Sequence, residues 1–515
     1  MYCRVDCGTT DGIDGVLIGV EADVSDGLPM FDMVGLLASE VREAKERVKI
    51  AIKNSGIMIP PKRITINLAP ADVRKSGSGF DLPIALAILS SLGIMMPGWN
   101  ENTIVIGELG LNGSVKGING VLPVVYEAAK QGFKRAIVPK ANEIEAAFVQ
   151  GIDVFGFERL TDVIDFFNGR LAKEACYVDV EEYFNERIAG HREDFCDVYG
   201  QDNVKRAVEV AVAGMHNILI IGPPGTGKTM IAKRIPGIMP SLSFDESMRL
   251  TRIYSVAGKL DENEQMKVAR PFRAPHHTIT TTALTGGGVY PSPGEISLAS
   301  KGVLFLDELA EFNKDTIEIL RQPLEDGYIN IARLNKSYRF DADFMLVCAM
   351  NPCKCGYYPD RLRCRCTTGQ INKYLGRISR PLLDRIDICV EAMAMDYEHI
   401  SAKKSSETSA DIKQRIERAR AVQKERFSKK DILYNNDMNE NDIALYCAME
   451  NEAKDLINTA YEKYKLTARS YHRILKVART IADLDGKKII GQQHIGEAIC
   501  YRGADNKYWG NMQYG

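Results

Sequence analysis

The run Ile218-Leu-Ile-Ile-Gly222-Pro-Pro-Gly-Thr-Gly-Lys228-Thr229 decides the fold of the central part of this 515-residue chain. Four apolar residues read as a buried strand, and the glycine-rich turn behind them reads as a phosphate-binding loop. Gly222, Pro223, Pro224, Gly225, Thr226 and Gly227 let successive backbone N–H groups converge on phosphate oxygens. Lys228 reaches the β/γ oxygens, and the Thr229 hydroxyl ligates Mg²⁺. A helix predicted from Lys228 to Arg234 adds the positive end of its dipole. The cofactors specified are therefore ATP and Mg²⁺, and an accidental glycine-rich turn explains the strand and helix on either side poorly.

Composition bounds the rest. The length points to about three domains. With Lys+Arg 66 against Asp+Glu 68 and a net charge of −2, any nucleic-acid contact has to come from local basic clusters rather than a bulk field. No run approaches the roughly 18 apolar residues of a membrane span, and MYCRVDCGTT lacks a signal-peptide core, so the expected location is cytoplasmic, with no membrane partner. Of the twelve cysteines, most are scattered singly, as in reduced cytosolic proteins; four are not.

The overall fold class expected is α/β. Residues 1–170 alternate strand-like runs (Gly15 to Val20, Arg63 to Leu68, Thr103 to Ile106, Arg135 to Pro139) with helical patterns (Ala38 to Ser55, Leu82 to Leu92) and form a first domain. Residues 171–195 are charged and read as a linker with a short helix. The nucleotide domain spans 196–396, opening with Tyr199 and Gly200 as further nucleotide contacts before a helix from Val204 to Ala213. Residues 397–515 begin with the polar stretch Ser401 to Asp411 and continue with five helical periods, a small helical lid.

Val303-Leu-Phe-Leu-Asp307-Glu308 is a second apolar strand, ending in two carboxylates. Asp307 organises Mg²⁺, and Glu308 polarises the attacking water as general base. The strand Phe344 to Met350 ends at Asn351-Pro352, the sensor 1 position of AAA+ ATPases; Asn351 also reads as a plain turn residue before proline. In Leu382-Leu-Asp-Arg385-Ile-Asp387, Arg385 resembles an arginine finger that stabilises a neighbouring subunit's γ-phosphate. Arg380 is the reserve, and a local salt bridge is the competing reading. Arg469, after Thr467, resembles the sensor 2 arginine that closes over the nucleotide from the lid, or is a solvated residue beside a capping threonine.

Long segments carry a closer resemblance: GLPMFDMVGL, VREAKERVKIAIKNSG, RITINLAPADVRKSGSGFDLPIALAIL, RPFRAPHHTIT, PGEISLASKGVLFLDELAEF, LRQPLEDG, AMNPCKCGYY, LLDRID and ARSYHRILKVARTIADL. Along essentially its whole length the chain resembles the Mg-chelatase-like AAA+ family of bacteria, the YifB/ComM type. The resemblance implies a homohexameric ATPase of the helix-2-insert clade, related to chelatase motor subunits and MCM helicases. It implies a Lon-protease-like (ribosomal S5 domain 2-like) α+β first domain and a hairpin before sensor 1. The implied function is a helicase or translocase on single-stranded or branched DNA, promoting branch migration during natural transformation.

Spacing supports the inserts. Asp307 lies 79 positions after Lys228, so Asp245 to Pro293 contains an insertion. Within it Arg270 to His277, with Arg273, and Gly286 to Gly288 suggest a mobile polar loop. Arg333, Lys336 and Arg339 sit on an alternating hairpin and read as DNA contacts or as merely solvated. Adjacent His276 and His277 read as loop contacts rather than metal ligands. Cys353, Cys355, Cys364 and Cys366 form a C-x-C…C-x-C loop that closes a structural Zn²⁺ site or carries free thiols.

In the Lon-like fold a nucleophilic serine opens a helix, with a lysine from a second helix. Here the serine position is Phe80 or Asp81, and the lysine position after Ile118 to Pro123 is apolar. Ser78 with Lys75 remains a formal pair, but the first domain reads as non-proteolytic, its Lys62, Arg63, Arg74 and Lys75 facing DNA or a neighbouring subunit. Competing functions are a protein remodeller and a metal-chelatase motor with no direct DNA role.

Overall fold

In a computed structural model the chain packs as two units, Met1–Arg187 with Ser243–Val268, and Ile188–Leu242 with Ala269–Gly515. The structure describes residues 2–188, 193–261, 264–288, 291–332, 337–393, 407–430 and 432–510. Among these, no helix is long and apolar enough to cross a membrane.

The first unit is built on strands β1 (Tyr2–Asp11), β2 (Asp14–Ser25), β3 (Met30–Val34), β4 (Arg63–Ala69), β5 (Thr103–Val105), the small hairpin β6 (Glu108–Leu109) and β7 (Val115–Lys116), then β8 (Arg135–Pro139) and β9 (Asp153–Phe157). Seven form one mixed sheet in the order β3-β4-β2-β1-β5-β8-β9. The helix Asp81–Ser91, DLPIALAILSS, is buried almost all round, as its lack of a polar face requires. It packs on β1, β2 and the helix Ser39–Asn54, which turns Val41, Ala44, Val48, Ala51 and Ile52 inward at helical spacing.

The insertion does not behave as one loop. Its first part forms the helix Phe244–Val256, started by a capping box between Ser243 and Glu246, and belongs to the first unit. Met248, Met266 and Val268 join Val121, Leu122 and Val125 in one core cluster, and Gly120 N–H donates to the Ser255 carbonyl at 3.1 Å. Apolar positions on this helix and on the return segment need burial, and the helix Val121–Lys130 of the first unit provides it. The charged stretch after residue 170 likewise packs: Cys176 N–H donates to Val154 O at 2.8 Å, and Tyr183 meets Phe148 edge-on.

The second unit carries β10 (Ile218–Ile221), β11 (Phe272–Arg273), the glycine hairpin β12 (Gly286–Gly287) and β13 (Ser292–Pro293), β14 (Val303–Leu306), the hairpin β15 (Tyr328–Ala332) and β16 (Ser337–Asp341), β17 (Met345–Met350) and β18 (Ile388–Glu391). Five form a sheet in the order β11-β14-β17-β10-β18, parallel throughout. All four residues of β10 and of β14, and all six of β17, are buried, the mark of parallel strands covered on both faces. The C-terminal helices Ser409–Arg426, Asn451–Tyr464 and Ala468–Leu484 contribute to the same core as β10 and β17. Thr467 caps the last of these, accepting from Ser470 N–H, a contact worth about 1 kcal/mol.

The segment Arg270 to His277, expected to be part of a mobile loop, is instead anchored at the edge of this sheet. Arg270 is buried and donates to Lys301 O at 2.6 Å. Phe272 and Arg273 pair with Val303 and Leu304. Local polarity suggests a loop, but main-chain pairing to β14 and a buried guanidinium fix it.

Candidate functional site

In a parallel sheet every strand ends at the same edge, and ligands gather outside those carboxyl ends. Ile221 of β10 lies level with Met350 of β17, and Leu306 of β14 lies level with Cys348. The phosphate loop, Asp307-Glu308 and Asn351 therefore leave the sheet side by side. Gly227, at φ +80, turns the chain into the helix Lys228–Ile238, a conformation that suits glycine. Lys228 is buried; its ammonium donates to the carbonyls of Gly222 and Pro223, each at 2.8 Å, and to Asn351 Oδ1 at 3.2 Å. Burial pushes the lysine pKa down, and the nearby Asp307 and Glu308 oppose this.

Thr229 donates its hydroxyl to Asp307 Oδ2 at 2.7 Å. A hydroxyl and a carboxylate at this spacing, beside a phosphate loop, fit a divalent cation shared with phosphate oxygens. Glu308 is held at φ +52, with its N–H bonded to Asp307 Oδ1 at 2.9 Å. The left-handed region costs a non-glycine residue about 1–2 kcal/mol, and such strain collects at functional sites. Tyr199 is partly exposed and Gly200 has φ +59. Gln201, which the sequence did not single out, gives its amide to Met393 O at 2.6 Å and to Thr226 O at 3.4 Å. It ties the segment after β18 to the phosphate loop. The signal for it is weak: a glutamine just ahead of a helix.

Arg385 lies at the other edge of the sheet. β18 runs parallel to β10 with Ile388 opposite Ile218, so Arg385 precedes the strand whose far end meets the phosphate loop. Its carbonyl accepts from Asn217 Nδ2 at 2.9 Å, immediately before β10 starts. Asn217, buried and also unforeseen, further accepts from Leu346 N–H on its Oδ1 at 2.9 Å and donates its own backbone N–H to Asp387 Oδ2 at 3.0 Å. Strands of four residues at about 3.3 Å per residue leave Arg385 well beyond reach of its own chain's phosphate loop. Its guanidinium is largely buried and donates to Arg321 O at 3.0 Å, Pro381 O at 2.8 Å and Glu325.

Arg469, read as a sensor 2 arginine closing over the nucleotide from the lid or as a solvated residue beside a capping threonine, donates its Nη2 to Glu325 Oε1 at 2.6 Å, on the same carboxylate as Arg385. The helix Ala468–Leu484 begins on that side of the sheet, which sequence spacing does not reveal. Arg380, the reserve finger, binds the carbonyl of Trp509.

The candidate DNA contacts are dispersed. Arg273 is engaged by Glu295 through two bonds of 2.6 and 2.7 Å, so it is not presented on a mobile loop. Arg339 stacks on Tyr328 across the hairpin at 3.7 Å. Arg333 and Lys336 lie outside the described residues. The His276 and His277 rings lie 4.0 Å apart, tilted by 36°.

The sulfurs of Cys353, Cys355, Cys364 and Cys366 lie within 4.8 Å of one another. Four thiolates so placed match the donor set of a closed tetrahedral metal site. The same loop touches the phosphate loop: a Cβ on Gly356, at φ +88, would lie 2.6 Å from Pro224 Cδ.

In the first unit, the position expected for a serine nucleophile is occupied otherwise. Asp81 is fully buried and takes two bonds from Arg47, at 2.8 and 3.0 Å. Burial raises its carboxyl pKa, and the guanidinium opposes that rise. Lys75 is fully buried, its ammonium given to Pro70 O. Lys62 pairs with Asp26 at 3.1 Å and Arg63 with Asp32 at 3.8 Å.

Family models described as magnesium chelatase, subunit ChlI, match residues 194–400, with the subunit ChlI of Mg-chelatase at 20–142 and its C-terminal part at 406–502. Competence protein ComM of Haemophilus influenzae is 40% identical over 492 residues, 95% of each chain. The protein YifB of Escherichia coli K12 is 41% identical over 496 residues, 96% of each chain. DNA repair protein RadA of Escherichia coli K12 is 32% identical over 117 residues, 22% of this chain and 24% of RadA.

Proposed function

This chain belongs to the Mg-chelatase-like AAA+ family that includes ComM and YifB, and we propose that it is an ATP-driven motor on DNA, a helicase that promotes branch migration while donor DNA is recombined in natural transformation. The observation that carries the motor reading is the split of the hydrolytic machinery between opposite edges of one parallel sheet. Lys228, Thr229 and Asp307 hold Mg²⁺-ATP, Glu308 orients and deprotonates the attacking water, and Asn351 sets the lysine and the γ-phosphate. Arg385 serves the nucleotide of an adjacent copy, as does Arg469, so the working form is a ring, and the family resemblance makes that ring a homohexamer. Charge developing on the γ-phosphoryl oxygens then meets a guanidinium from the next subunit.

The DNA substrate is supported by the names of the relatives ComM and RadA and by the basic residues Arg333, Lys336 and Arg339 of the sequence, the last of them on β16. The four cysteines hold a structural Zn²⁺; with no open coordination position it has no part in hydrolysis. The working location is the cytoplasm, where the DNA is. The matched family description favours a second reading, a chelatase-type motor that remodels a partner protein.

One comparison separates these readings: ATPase rate with and without forked or single-stranded DNA, for the parent and Glu308→Gln. We expect DNA to stimulate hydrolysis several-fold, with binding that weakens as salt rises. Glu308→Gln should bind ATP and DNA yet hydrolyse at least about 100-fold more slowly. A protein that neither binds DNA nor responds to it is not a DNA motor.

A further inference from the structure

Glu325, in the short helix Pro323–Asp326, lies in the segment LRQPLEDG but has been given no role above. Yet its two carboxylate oxygens are divided between the two arginines at the far edge: Oε2 takes Arg385 and Oε1 takes Arg469. We propose that Glu325 is a positioning residue for the half of the hydrolytic site that a subunit offers to its neighbour, fixing Arg385 in pose and parking Arg469 until a neighbour's nucleotide arrives. This rests on the reading that Arg385 acts in trans.

The two arginines are held unequally. The Arg385 side chain is 10% exposed and is anchored by two backbone carbonyls besides Glu325. Of its five N–H donors, those on the two terminal nitrogens that remain are available for a phosphate. Arg469 and Glu325 are each about half exposed, at 49% and 51%. A contact between half-exposed charges exchanges cheaply for another anion. A triphosphate brought up by a second subunit therefore competes for Arg469 first, while Arg385 stays in place.

Charge balance points the same way. Without Glu325, two guanidinium groups repel each other, and Arg385 loses the one acceptor that carries charge. With it, the trio has a net charge of +1, which still attracts a polyphosphate. The Arg385 guanidinium, foremost, holds the Glu325 carboxyl below the ordinary glutamate range, so it remains ionised near neutrality. As a stabilising device such a pair adds little; its effect is on where two arginines point.

The test uses full-length Glu325→Gln, which keeps size and loses charge. Its thermal midpoint should stay within a few degrees of the parent. Its kcat for ATP should fall about ten-fold or more, with KM unchanged or lower, because Arg469 no longer has a competing anion. Glu325→Asp, too short to span both partners, should give an intermediate kcat and guards against a fold defect in the first variant. Parental kcat in either variant overturns the proposal.

Mixed-subunit assays separate the two ideas. Lys228→Ala subunits, whose arginines are intact, should restore activity to both Arg385→Ala and Glu325→Gln. Arg385→Ala and Glu325→Gln should not restore each other, since both lesions lie on the same side of a subunit. If Lys228→Ala fails to rescue Arg385→Ala, the trans reading itself falls. If that rescue succeeds but Arg385→Ala also rescues Glu325→Gln, Glu325 acts within its own chain and only this proposal falls.

Discussion

Lys228, Asn351 and Asp307 follow three different strands; Lys228 donates to Asn351, and Asp307 accepts from the Thr229 hydroxyl beside Lys228. Asn351 is the informative one, because it sits before a proline, where asparagine and aspartate serve a turn equally well. Asn351→Asp therefore discriminates. As a turn residue it would leave activity alone; as a ligand of Lys228 and phosphate it places a carboxylate where negative charge gathers. We expect steady-state ATPase to fall at least ten-fold, about 1.4 kcal/mol in barrier, and an unchanged rate would return Asn351 to the status of a turn. Lys228, Thr229, Asp307 and Glu308 were legible because each motif is contiguous. Gln201, Asn217 and Glu325 were not, because their role is to bond main chain or side chains brought near only by folding.

Among elements, the four-cysteine loop has the most direct route to the nucleotide. Gly356 packs against the ring of Pro224 and carries φ +88, so Gly356→Ala adds both strain and a clash on the phosphate loop. The expected result is a Kd for a fluorescent ATP analogue raised about five- to twenty-fold, some 1–2 kcal/mol, and parental affinity would show the two loops to be independent. Metal analysis of protein purified under reducing conditions should find one zinc per chain, and Cys364→Ser should lose it; a metal-free parent excludes the site. Helix periods in the C-terminal part correspond to helices in the structure, Asn451–Tyr464 among them. The strand β1 went unpredicted although Cys3, Val5 and Cys7 alternate with Arg4 and Asp6; the alternation stops at Gly8, and pairing along its whole length with β2 holds the rest.

Across the whole molecule, stability of the second unit hinges on a buried cluster where β10, β18 and the helix Ala468–Leu484 meet. His216 is fully buried, with Nε2 2.8 Å from Thr480 Oγ1, and burial pushes its pKa from 6.5 to about 4. The folded state thus binds the proton less readily than the unfolded chain. Stability falls as pH drops from about 6.5 towards 4, by about 2 kcal/mol between pH 7 and 5 from this group alone. The parent should therefore melt well above His216→Gln at pH 7 and lose much of that lead at pH 5. A constant gap between the two melting curves would remove His216 from the acid response.

Contiguous motifs were enough to single out the candidate phosphate loop and the paired carboxylates, and to recognise the helical C-terminal part and the family, because each depends on residues a few positions apart. The sidedness of the site was not available there. That Arg385 and Arg469 share Glu325 at the edge opposite Lys228, and that part of the insertion completes the core of the first unit, follow from strand direction and burial. Both bring together residues more than a hundred positions apart, as Glu325 and Arg469 are, and only the packed chain sets those distances.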